Sequence, residues 1–348
     1  MNMLRIPLVA LVALFMALLP TRSTAQANAG EYMTKINTTY SPIRQDMWDY
    51  MKSVANNRSA RTVEKRRTEL LTTITNAKSA IRRMAAWEGD ASYRDSCVTF
   101  LTLSYNIINQ DYARIVDMEA VAEQSYDAME AYIMVQQEAN KKFNRAGENL
   151  VQTSRAFAAS HKVNLIEADD DKLSKKMQMA DSVYKYYNRV YLIMFKAKIE
   201  EDYTLKALNA SDLAGIEQRN AKLKEFSAEG IKKLAAVPAF GGDASLKEAC
   251  MELLKFYQQE ADSKFPFMLD YILKRDNVSK MGAAIEAKPQ NKRTQEEVDA
   301  YNKEVEAFNK MVVQYNTMSQ EGNNTRNKLL EKWNNTANAF TSKHVPNR

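Results

Sequence analysis

Cysteine and histidine are the side chains most used for nucleophilic, acid–base and metal chemistry, and this 348-residue chain has two of each. Cys97 and Cys250 stand 153 residues apart in matching surroundings. An oxidising compartment favours pairing of thiols, but both fall one turn into a helix, where a small apolar side chain faces a core. A bridge would need Cα atoms closer than about 7 Å, so two separate buried thiols are expected. His161 and His344 each close a long helix, where a cation interacts favourably with the helix dipole. Neither has further ligands at metal-binding spacing, and neither partners a thiol. The sequence therefore assigns no catalytic residue, no cofactor-binding residue and no metal ligand.

Other charged and aromatic stretches read first as parts of helices. The run Glu167-Ala168-Asp169-Asp170-Asp171 lacks the alternating spacing, central glycine and distal glutamate of a calcium loop, and reads as a solvated connection. Arg58, Arg61, Lys65, Arg66, Arg67, Arg82 and Arg83 decorate one helix. They could meet lipopolysaccharide, acidic glycans or a membrane surface, or they could be the outer face of a bundle; the matching face further on is partly basic, with Arg219, Lys222 and Lys224. Tyr184, Tyr187, Tyr191 and Phe195 follow helical spacing and read as core, while Tyr186 falls outside that stripe and is a candidate partner contact. Met177 and Met179 are read as gap-filling side chains rather than copper ligands.

The elements that must position these residues follow an N-terminal export signal. Arg5 precedes Ile6 to Leu19, an uncharged apolar run of 14 residues, then Pro20 and the small-x-small pattern Ala25-Gln26-Ala27. This is the layout of a cleaved signal peptide over residues 1–27, since a membrane-spanning helix needs about 20 apolar residues. No cysteine lies just after the run, since the two cysteines are Cys97 and Cys250, so a lipoprotein is not expected, and no integral membrane segment is expected in the mature chain. The net charge of +6 falls slightly when Arg5 and Arg22 leave, too little for a long-range nucleic-acid field.

Only 9 glycines and 7 prolines interrupt the chain, so its elements are few and long. Runs of Ala, Glu, Lys, Leu and Met favour helix, and the fold class is all-α. An internal repeat organises it. Trp87-Glu88-Gly89-Asp90-Ala91-Ser92-Tyr93-Arg94-Asp95-Ser96-Cys97 returns as Phe240-Gly241-Gly242-Asp243-Ala244-Ser245-Leu246-Lys247-Glu248-Ala249-Cys250. The 153-residue offset also pairs Asp49-Tyr50 with Asp202-Tyr203, Val63 with Ile216, Leu70 with Leu223 and Ile81 with Leu234. Near the ends, Ala156-Phe157 and His161 match Ala339-Phe340 and His344 at an offset of 183, which leaves about 30 extra residues in the second copy, around Lys274 to Gln295.

Each copy is expected to be a four-helix up-and-down bundle, the first over residues 36–165 and the second over 170–348. In the first, Ser41-Pro42 reads as N-cap and first helical position, with Ile43, Met47, Tyr50 and Val54 as the inner face. Val63, Arg67, Leu70, Ile74, Ala77, Ile81 and Met84, spaced alternately by three and four residues, form the seam of the second helix. Ser92-x-x-Asp95 and Ser245-x-x-Glu248 read as capping boxes, and Gly89 and Gly242 as left-handed helix ends. The fourth helices run from about Glu119 to Ser160 and from Glu296 to Lys343, with kinks possible at Gly147 and Gly322.

With its paired Gly-Asp-Ala-Ser-x4-Cys corners and leader, the chain resembles a family of exported helical surface proteins of Leptospira and Bacteroidetes type. The resemblance implies an envelope or surface location and nothing catalytic, and it carries over no site residue. The expectation is a non-enzymatic binding or scaffold protein in the periplasm or on the cell surface, with an envelope protein or surface component as partner and no nucleic acid. The alternative is a carrier of an apolar or anionic small ligand.

Overall fold

The protein is described here by a computed structural model, which describes residues 18–20, 28–55, 60–111, 122, 124–167 and 172–345. The rest of the expected leader, Arg58, and Ala168 to Asp171 of the acidic run lie outside these residues. The chain is all-α: among the described residues there are nine α-helices and one antiparallel pair of three-residue strands, Leu18–Pro20 with Leu165–Glu167. None of the described helices is long and apolar enough to cross a membrane. The chain divides into two compact units, Met1–Asn188 with Ala337–Arg348, and Arg189–Thr336.

The first unit holds α1 (Ala29–Ala55), α2 (Ala60–Arg82), α3 (Ser92–Asn106) and α4 (Tyr126–Ser160), with α1 packed on α2, α2 on α3 and α3 on α4. The inner face of α1 has Ile43, Met47 and Tyr50 buried as expected, the side chain of Val54 lying outside those described, but the helix starts more than three turns earlier, at Ala29, and also buries Met33 and Ile36. Asn28, not Ser41, caps it, accepting from the Glu31 N–H at 2.9 Å. Pro42 lies inside the helix. Proline there leaves the carbonyl four residues back without its helical donor, and the Ser41 hydroxyl donates to that carbonyl, Thr38 O, at 3.1 Å. A serine beside a proline reads as a helix start, and here it repairs an interruption.

The second unit contains the later part of α5 (Lys172–Asn209), then α6 (Leu213–Ala235), α7 (Ser245–Gln259), α8 (Phe265–Glu286) and α9 (Gln295–His344) up to Thr336. Here α6 packs on α7 and on α8. The bounds of α6 and α7 lie 153 residues after those of α2 and α3. Each of α3 and α7 runs directly into a five-residue π turn, Ile107–Asp111 and Glu260–Lys264, again 153 apart. A π turn releases a carbonyl from the helical ladder, and in both units the helix one earlier in the chain, α2 or α6, supplies the donor. Arg67 Nη1 reaches Ile108 O at 3.4 Å, and Asn220 Nδ2 reaches Ala261 O at 3.0 Å.

The corners before α3 and α7 share their geometry. Gly89 and Gly242 have φ of 85° and 86°, a left-handed conformation that glycine adopts without steric cost. The expected capping boxes are not formed: neither helix has a side-chain cap from the residue before it, Ala91 or Ala244. Asp90 and Asp243 do that work from one residue further back. Their Oδ1 atoms accept from the N–H groups of Ser92 and Ser245 at 2.8 and 2.9 Å, so Ser92 and Ser245 are the first helical residues rather than caps. A cation then closes each corner, with Arg94 Nη1 on Met84 O at 2.9 Å and Lys247 Nζ on Val237 O at 2.7 Å.

Candidate functional site

The residues singled out from sequence serve the architecture. Cys97 and Cys250 are buried and free. Burial pushes the Cys97 thiol up to about 12 and raises that of Cys250 further. His161 occupies the C-cap of α4. Its ring lies 4.5 Å from that of Phe157, and its Nε2 is 2.9 Å from Asp90 Oδ2. The histidine thus ties the end of α4 to the corner before α3. The Asp90 carboxyl is held low, at about 2, by the Ser92 N–H and then by His161. His344 ends α9 with its ring 4.7 Å from Phe340.

Tyr184, Tyr187, Tyr191 and Phe195 are buried, as their spacing implies, and Tyr186 is half-buried and stacks on Phe340 at 5.6 Å. Met177 is buried and Met179 exposed. Within the basic stretch, Arg66 pairs with Glu69 at 2.9 Å and Arg67 with Glu64 at 2.6 Å, while Arg61, Arg82 and Arg83 are exposed. No group of three or more His, Cys, Asp or Glu side chains able to hold a metal is found among the described residues.

The site that stands out chemically lies in the second unit. Arg326 on α9 donates through Nε to Glu201 on α5, and through Nη2 to both oxygens of Glu260, at 2.8 and 3.1 Å. Glu260 opens the π turn after α7, and Lys264 closes it, four residues on, with Nζ 2.6 Å from Glu260 Oε1. The side chains of Glu201, Glu260, Lys264 and Arg326 are 1, 3, 7 and 10% exposed. Asn323 Oδ1 takes a further N–H of Arg326 at 2.6 Å. Taking such charges out of water costs several kcal/mol each, and their mutual attraction repays it only when the geometry satisfies them.

The electrostatics of the cluster are tightly shared. Burial pushes the Glu201 carboxyl up to about 8; Arg326 opposes the rise and the nearby Glu260 adds to it. Burial works against the charge of Arg326, and the two carboxylates more than offset it, so its pKa is raised. The neighbouring Tyr257 is fully buried, and its hydroxyl has no hydrogen-bond partner among the described residues.

Beside the cluster is an open cleft of about 190 Å³. Phe256 and Met318 give it apolar walls; Glu260, Ser263, Lys264 and Glu321 give it polar ones. Its shape depends on Gly322. A Cβ there would lie 2.2 Å from Lys264 Nζ and 3.2 Å from Glu260 Oε1. A larger residue there would force the end of the Lys264 side chain to shift from its place against α9.

These four charged residues were not singled out from sequence, although a signal existed. Counting 153 back from Glu201 and Glu260 gives Trp48 and Ile107, and counting 183 back from Arg326 gives Phe143, all three buried apolar side chains. At these offsets, charged residues of the second unit fall on buried apolar positions of the first. No protein-family model, curated protein or solved structure matches this chain.

Proposed function

We propose that this chain is an exported, non-enzymatic helical binding or scaffold protein of the bacterial cell envelope or surface, made of two diverged copies of one helical unit. The observation that carries the reading is the charge cluster next to an open cleft, present at positions where the other copy has Trp48, Ile107 and Phe143. Glu260 accepts from both Arg326 and Lys264, and Glu201 from Arg326. A general base needs a lone pair open to a proton in transit, whereas carboxylates committed in this way are suited to holding a shape. Export is supported by the charged start, apolar run and Ala25-Gln26-Ala27 pattern. The doubling is supported by the matched ends of α2 and α6, of α3 and α7, and of the two π turns.

A second reading, a carrier of a small ligand, is favoured by the cleft itself. Native mass spectrometry of the protein purified from its own envelope, cross-linked before lysis, separates the two. A co-purifying small molecule favours the carrier, and an empty protein cross-linked to a defined partner favours the scaffold. A mature N-terminus near Asn28 is expected in the same sample; an intact chain recovered from the cytoplasm overturns the export reading.

A further inference from the structure

We propose that the cleft in the second unit binds a free amino acid with an apolar side chain, its carboxylate on Lys264 and its ammonium group toward Glu321. The proposal rests on the carrier reading and gives the ligand its chemistry.

Three features of the cleft define that chemistry. An ammonium group has three N–H donors, and among the described residues Glu260 Oε1 takes one from Lys264. A bound acceptor would use another, and a charge-assisted hydrogen bond is roughly twice as strong as a neutral one. At the rim, Glu321 is exposed, lines the cleft and has no ion pair among the described residues. Phe256 and Met318, both half-buried, form the apolar walls.

Other ligand classes meet these features less well. A phosphate or other polyanion would face the carboxylates of Glu260 and Glu321. A simple amine would leave the Lys264 donors unanswered, and a simple carboxylate would leave Glu321 unpaired. A zwitterion with an apolar side chain answers all three. At about 190 Å³ the cleft is below the ~300 Å³ at which pockets for drug-sized molecules begin, which suits a single amino acid better than a larger ligand.

Isothermal titration of the full mature chain with leucine, leucinamide, 4-methylpentanoate and inorganic phosphate tests the assignment. Saturable binding of leucine is expected, with leucinamide and 4-methylpentanoate at least about tenfold weaker, the loss of one charge-assisted contact. Glu321→Gln, an exposed change that spares the fold, should remove most of the preference for leucine over 4-methylpentanoate. Gly322→Ala should weaken every ligand of the cleft, with the fold checked by circular dichroism. Absence of saturable leucine binding, or a preference for leucine unchanged in Glu321→Gln, overturns the proposal. If phosphate or 4-methylpentanoate binds best and Gly322→Ala weakens it, the amino-acid assignment fails while the carrier reading stands. If none of the four binds and no molecule co-purifies with the chain, both fail.

Discussion

In the first unit Trp48, Ile107 and Phe143 are buried and apolar; in the second, the positions 153, 153 and 183 residues on hold Glu201, Glu260 and Arg326, joined by Lys264 at the π turn after α7. The surrounding frame is alike in both, down to the glycine with φ near 85°, the aspartate that caps the next helix and the side chain that reaches the freed carbonyl. A frame that accepts both interiors does not itself require the charges. The shared frame and the differing interior separate the part of each unit that holds the helix corner from the part that varies between the units.

The comparison can be broken most directly by stranding the charges. Arg326→Met leaves Glu201 and Glu260 without their shared cation, and removal of one partner from such a group costs about 3–5 kcal/mol. Urea denaturation should show that loss. Giving the second copy the apolar interior of the first, with Glu201→Trp, Glu260→Ile, Arg326→Phe and Lys264→Met together, should be neutral or stabilising by about 1–4 kcal/mol. A fourfold variant that is less stable than Arg326→Met would end the equivalence of the two interiors.

The two helix glycines should respond with opposite signs. Gly322→Ala places a methyl group against Lys264 and should destabilise by about 1–3 kcal/mol, the usual penalty for overpacking. Gly147→Ala meets only Phe100 Cε2, at the ordinary contact distance of 3.9 Å. It should stabilise by about 0.5–1 kcal/mol through helix propensity. Thermal melts of the two variants against the parent chain check the pair.

The pH dependences should also diverge. Asp90 has a folded pKa of about 2 against an ordinary 3.8, so its contribution is complete above that ordinary value and is lost as the pH falls toward 2. Glu201 has a folded pKa of about 8 against an ordinary 4.5. Between those values the folded chain holds a proton that the unfolded chain has released, so stability declines as pH rises through the interval. Asp90→Asn should flatten the acid limb of a stability–pH curve, and Glu201→Gln the neutral limb. The smallest effect is expected at the thiols. Cys97 and Cys250 share burial in both copies, and both should resist a thiol reagent in the native chain and react together on denaturation.

Helices are the most legible part of the sequence, because their signals are local. The ends of α4 and α9 at Ser160 and His344 are legible from the histidine that closes each helix, and the corners at Gly89 and Gly242 from their glycines. Local signals also misled. Ser41-Pro42 has the look of a helix start, yet Met33 and Ile36 upstream are fully buried, and that burial carries α1 through the proline. Ser92 and Ser245 are good caps in isolation, but the backbone pairing of Trp87 with Asp90 and of Phe240 with Asp243 turns the aspartate side chains toward the helix starts instead. The charge cluster was hidden for another reason. Glu201, Glu260 and Arg326 span 125 residues, and each sits among other charged residues, so only their register against Trp48, Ile107 and Phe143 distinguishes them from a solvated face.

The π turns have a consequence for how the chain tolerates change in length. Each residue of an α-helix advances the side chains by roughly 100°, so one residue added within a continuous helical run turns everything beyond it by that angle. Glu260–Lys264 behaves as a phase shifter of this kind, built between α7 and α8 with no break in the helical run. Deleting a single residue from Glu260–Lys264 would leave α7 as it is and rotate α8 about its own axis, carrying Phe265, Met268 and Ile272 away from the interior they now occupy. A lost residue in a surface loop shortens a connection, whereas the same loss here would turn a whole helix inside out.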